Sequence, residues 1–121
     1  MSISKQDLNA HGQKLRELFA TEDYIVRGVP IHQIAKAMDV SEKWVTTIVG
    51  RMAAKLVGAT ISKQTSGVQE YPSYLDRMPA TLASQSPRQH AWLKENFYKT
   101  RDIMVLQMTN RLFGYTKSAG R

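Results

Sequence analysis

The segment Ile31 to Gly50, IHQIAKAMDVSEKWVTTIVG, constrains this chain more than any other stretch. Ile31, Ile34, Ala35 and Met38 recur at helical spacing, and Pro30 suits the first turn of the helix they define. Asp39-Val40 reads as a turn and Ser41 as the N-cap of a following helix. Val45, Ile48, Val49 and Met52 supply the inward face of that helix, which is expected to run to about Lys55. Two helices joined by so short a turn cross steeply around a shared core. Where their backbones approach closely only a small side chain fits, and Ala35 occupies that position.

The rest of the chain is organised around this unit. Ser4, with Asp7 three residues on, reads as an N-cap, and Ile3 and Leu8 as a hydrophobic staple. Leu8, Leu15, Leu18, Phe19, Ile25 and Val26 continue a first helix, with a restart expected at Thr21-Glu22-Asp23 and Gly28 as its C′ residue. From Leu56 to Gln85 the helical signal fades among Gly58, Gly67, Pro72 and Pro79. Ala59–Lys63 and Val68–Tyr71 read either as a small β-hairpin or as parts of an irregular loop, and Ser84-Gln85-Ser86 as a linker. Ser86-Pro87, with Gln89 as capping-box partner, opens a long carboxy-terminal helix expected to end near Phe113, with Gly114 as C′ residue and Tyr115 to Arg121 as a loose tail. The expected fold class is mainly α: a three-helix core, a β-hairpin in one of the two readings, and the long last helix. Residues 1–75 would form one unit and 76–121 a linker and helix able to serve oligomerisation.

Charge narrows the partners. Seventeen Lys and Arg stand against ten Asp and Glu, a net +7, which favours polyanions. From Ser86 onward Arg88, Lys94, Lys99, Arg101, Arg111, Lys117 and Arg121 outnumber Glu95 and Asp102. With no cysteine, disulfides, thiolate zinc sites and a cysteine nucleophile are excluded. His11, His32 and His90 are scattered, without a metal-ligand spacing. No phosphate-cradling glycine loop or nucleophile-elbow motif occurs. The expectation is therefore no enzyme, no catalytic residue, no metal, no cofactor and no small-molecule ligand. No apolar run resembles a signal peptide or a membrane span, so no membrane partner and a cytoplasmic location are expected.

The run IAKAMDVSEKWVTTIV resembles the helix-turn-helix family of DNA-binding regulators over most of its roughly twenty-residue template. Asp39 stands where many members carry Gly, and Asp tolerates a left-handed turn better than most residues. The resemblance implies a recognition helix in the major groove of double-stranded DNA. It casts Glu42, Lys43, Thr46, Thr47 and Arg51 as base-reading residues. Gln33, Lys36, Ser41, Lys55 and Lys63 become phosphate contacts. In winged members a hairpin follows the recognition helix, and Lys63 would sit near its tip. Trp44 packs on the preceding helix in one reading and lies over the sugar-phosphate ridge in the other, and the burial usual for large aromatics favours packing.

Trp92, Phe97, Ile103, Met104, Val105, Leu106 and Met108 are more apolar residues than one helix needs to cover a small domain. They serve either a homodimer contact or packing on the first helix. The leading functional expectation is a sequence-specific transcription regulator acting as a homodimer. The alternatives are a DNA-recognition subunit of a phage packaging machine, similar to a small terminase, and a protein-interaction adaptor that does not bind DNA.

Overall fold

The computed structural model describes residues 5–64 and 72–119; side chains at 7, 8, 62–64 and 111–119 lie outside that description. Among the described residues four helices follow one another: α1 (Lys5–Ile25), α2 (Ile31–Met38), α3 (Glu42–Gln64) and α4 (Pro87–Ala119), with short 3₁₀ turns at Ser73–Arg77 and Leu82–Ser84 between the last two. No strand occurs among the described residues. Nor, among them, is any helix long and apolar enough to cross a membrane.

The centre of the fold is α3, which packs against each of the other three helices. Its buried positions are Val45, Ile48, Val49, Met52, Ala53, Leu56, Val57 and Thr60. These alternate in steps of three and one, the stripe that a 3.6-residue period places on one face. The first half of the stripe joins Ala20, Ile34 and Ala35 in one apolar cluster. The second half joins Leu18, Ile25, Leu75, Leu93, Phe97 and Met104 in another. Thr60 enters the core at little cost because its hydroxyl donates to the Leu56 carbonyl at 3.1 Å.

Several expectations are corrected here. Helix α3 does not stop near Lys55: it continues to Gln64, so Ala59–Lys63 is helix rather than the first strand of a hairpin. Leu56, Val57 and Thr60 keep the buried stripe in phase, and packing against α4 overrides the weak propensity of Gly58 and Thr60. The second proposed strand, Val68–Tyr71, lies outside the described residues, as do the Ser4 cap and the side chains of the Ile3–Leu8 staple. Helix α1 does not restart at Thr21. It runs unbroken, and the buried Thr21 hydroxyl donates back to the Glu17 carbonyl at 2.8 Å instead of capping. Helix α4 does not end near Phe113 but continues past Gly114 to Ala119, taking in most of the expected tail.

Gly28 meets its expectation, reversing the chain at φ +67° while Val29 N–H reaches back to the Asp23 carbonyl at 2.9 Å. Ser86 and Gln89 form the expected reciprocal box: the Gln89 N–H donates to Ser86 Oγ at 3.2 Å, and the Ser86 N–H to Gln89 Oε1 at 2.9 Å.

Residues 72–86, ahead of α4, are tied down rather than a linker. The buried Gln85 amide donates through Nε2 to the carbonyls of Gly50, at 2.9 Å, and Pro79, at 2.8 Å. Those acceptors fix the amide orientation, so Oε1 faces His90 Nε2 at 2.8 Å and neutral His90 carries its proton there. Gln89 Nε2 donates to the Tyr74 carbonyl at 2.9 Å, and Leu75 fills the lower core. This strap lies so close to α3 that a Cβ on Gly50 would come within 2.6 Å of Leu82 N and 2.7 Å of the Ala80 carbonyl oxygen.

A second tie joins α1 to α4. Glu22 is buried, and its carboxylate accepts the Tyr98 hydroxyl at 2.8 Å while facing Arg27 at 3.5 Å and Arg101 at 3.9 Å. That hydrogen bond to Glu22, with some burial, holds the Tyr98 hydroxyl above the usual phenol range. Donors from both helices keep the carboxylate from being stranded.

Two predictions follow from this packing. Gly50→Ala should destabilise by on the order of 1–3 kcal/mol, because backbone blocks the new methyl. Gly58→Ala, with nothing within 4 Å of its Cβ, should stabilise by about 0.5–1 kcal/mol. Denaturant melts of the two variants check this, and shifts of the same sign would refute it. Burial also lowers the pKa of His90, so the unfolded chain takes up that proton first as pH falls. The His90 contribution to stability should therefore be constant just above neutrality and decline as pH drops below the ordinary histidine pKa, about 6.5. His90→Gln should remove that slope between about pH 7 and 5.5 in thermal melts.

Candidate nucleic-acid interface

The unit from α2 to the start of α3 is built by local chemistry. Pro30, extended at ψ 149°, is the N-cap of α2 rather than a residue of its first turn, and its carbonyl accepts from the N–H groups of Gln33 and Ile34. After eight residues α2 closes on Asp39, which is left-handed at φ 58°, ψ 49°. The Asp39 N–H then donates to Lys36 O and the Val40 N–H to Ala35 O, the two bonds of a Schellman closure. Ser41 Oγ accepts the Trp44 N–H at 3.0 Å and so caps α3. Glu42 in the first turn complements the positive end of the helix dipole.

Ala35 is buried between the helices with Ile34, Val45 and Val49, and Trp44 is half-buried against the same cluster, as the packing reading has it. With those side chains turned inward, the opposite face of α3 is polar and exposed. Glu42, Lys43, Thr46, Thr47, Arg51 and Lys55 all lie on it. Lys43, Thr47, Arg51 and Lys55 recur every fourth residue and form one row along the helix. On α2, Gln33 and Lys36 are exposed too. Among the described residues, the side chains of Gln33, Lys36, Lys43, Thr46 and Thr47 take part in no hydrogen bond or ion pair. Ser41 is exposed, and capping uses one of its lone pairs while leaving its proton to donate. Lys63 belongs to α3, and its side chain lies outside the described residues.

One cation here escaped the sequence reading. Lys14 of α1 comes beside Lys55 where α1 packs on α3. Its proximity, then partial burial and the charge of Arg51, hold Lys55 below the usual lysine range, while Glu17 acts in the opposite sense. Only the pairing of α1 with α3 makes these residues neighbours, and no spacing along the chain announces it.

No group of His, Asp and Glu among the described residues could hold a metal ion. No family model, curated protein or solved structure matches the chain.

Ala35→Leu should push α2 off α3 and cost on the order of 1–3 kcal/mol, whereas Ala37→Leu, at an exposed site of the same helix, should stay within about 0.5 kcal/mol. Thermal melts of the pair provide the check, and equal effects would mean that no close contact exists at Ala35.

Proposed function

We propose that this chain is a sequence-specific double-stranded DNA-binding protein that presents the amino-terminal half of α3 to the major groove. The observation that carries the reading is the polar face of α3: Lys43, Thr46 and Thr47 are exposed and, among the described residues, take part in no hydrogen bond or ion pair, on a helix whose entry is held by a left-handed turn and a serine cap. Groups that folding leaves unused are the ones able to meet an outside partner. Lys43 and Arg51 can donate to guanine, Glu42 can accept from cytosine, and Thr46 and Thr47 can meet a thymine methyl or a phosphate. Gln33, Lys36, Ser41, Lys55 and Lys63 serve the backbone on either side. The net charge of +7 supports this by drawing the chain toward polyanions.

A regulator of transcription in the cytoplasm, acting as a homodimer, is the form of this reading we favour. An apolar groove of about 520 Å3 between α1 and α4 supports self-association through α4. Phe19 and Leu106 border it while 65% and 56% exposed, a cost that a second copy would relieve. The same groove is compatible with a larger ring, the form expected of a packaging subunit, and the mass in solution separates the two.

The test begins by selecting bound duplexes from a random pool. Thr47→Ala and Arg51→Ala are then titrated on the selected and on a scrambled duplex at one salt concentration. Each variant should keep its stability within about 0.5 kcal/mol. Each should lose roughly 1–3 kcal/mol on the selected site and less on the scrambled one. Equal losses on both duplexes would make these residues phosphate anchors, and no loss on either would turn the reading to a protein-interaction adaptor.

A further inference from the structure

We propose that Lys14 and Lys55 together hold a phosphate group in the recess between α1, α3 and α4, and that this phosphate belongs to the DNA backbone. The proposal rests on the DNA-binding reading above and adds to it a second element, α1, with a defined anion site. The recess measures about 320 Å3, and Lys14, Lys55 and Gln107 bring polar groups to a wall whose remainder is apolar, with Met52, Met104 and Met108 the largest side chains in it. Gly58 leaves it open, since nothing lies within 4 Å of where a Cβ would stand.

Its electrostatics point to an anion. Two ammonium groups from different helices meet at the recess, with Arg51 one turn before Lys55 on α3. Among the described residues Glu17 is the acid that opposes them, standing 4.0 Å from Lys14 and also within reach of the Gln13 amide at 3.4 Å. Cations therefore outnumber acids, and partial burial weakens the screening that water gives like charges. Bringing two lysines together in this way costs stability in the free protein, and an anion between them reverses the sign of that interaction. Lysine suits phosphate as a point charge, and the Gln107 amide can add a neutral donor.

Position selects the source of the phosphate. Lys55 lies about 18 Å along α3 from Lys43, at roughly 1.5 Å per residue. A major groove is only about 12 Å wide. With Lys43 and Thr47 at base edges, the Lys55 end of the row reaches the flanking backbone, and Lys14 beside it completes the grip.

The experiment uses the full chain and three variants, Lys14→Gln, Lys55→Gln and, as a control, Lys94→Gln, which is exposed on α4 outside the recess. Duplex affinity is measured across a salt series. Melting temperature is measured with and without inorganic phosphate at constant ionic strength, and far-UV circular dichroism confirms the fold. Lys14→Gln and Lys55→Gln should each lower the slope of log K against log salt by about one. Each should also weaken binding several-fold on selected and scrambled duplexes alike. Phosphate should raise the melting temperature of the parent and the control but not of these two variants.

If duplex binds and all three variants behave like the parent on it and with phosphate, the site is overturned and the DNA-binding reading stands. If no duplex binds but phosphate stabilisation is lost in Lys14→Gln and Lys55→Gln, the phosphate site stands with a free phosphate as its source, and the DNA-binding reading falls. Absence of both duplex binding and phosphate stabilisation overturns both.

Discussion

Everything in this molecule leans on one strip of α3, the buried series from Val45 to Thr60 that keeps helical phase for more than four turns. Because it is continuous, α3 serves two apolar clusters with one element: α2 and Ala20 of α1 gather on its first half, and α4 with Leu18 and Ile25 of α1 on its second. Each fully buried Val or Leu contributes roughly 1.5–3 kcal/mol of transfer free energy. That sum offsets the weak helix propensity around Gly58. Burying one face so completely obliges the other to be polar, so the core and the candidate interface are two consequences of one periodicity.

Polar groups set how the surrounding elements are held. Gln85 makes the strap between α3 and α4 adhere by satisfying two carbonyls at once, and Gly50 lets the strap approach by having no side chain in the way. Glu22 is the riskier device. A buried carboxylate between α1 and α4 is tolerable because Tyr98, Arg27 and Arg101 converge on it, and it orients the two helices that border the apolar groove. Placed beside Phe19 and Leu106, this network gives the α1–α4 face a charged anchor next to an apolar surface, a combination common where two protein surfaces meet.

The α2–α3 unit was largely legible in advance. Ala35, Asp39 and Ser41 each answer a local requirement, respectively a small residue buried between two helices, a left-handed residue and a cap, and local requirements are visible in short windows of sequence. The outward placement of Lys43, Thr47 and Arg51 followed from the inward placement of Val45, Ile48 and Met52. The capping box at Ser86 and Gln89 and the reversal at Gly28 were legible for the same reason.

What the sequence by itself determined is thus the set of local signals: caps, turns and the periodicities that divide each helix into a buried and an exposed face. The tertiary structure alone decided how far α3 runs, because a helix that carries Gly58 on its exposed side holds beyond Lys55 only when α4 covers its buried stripe. It alone turned Gln85 from an apparent linker residue into a buried tie, since Gly50 and Pro79 lie 35 and 6 residues away along the chain. It alone brought Lys14 beside Lys55. The energy of two charges depends on their separation in space, and chain spacing does not report that distance once it exceeds a helical turn or two.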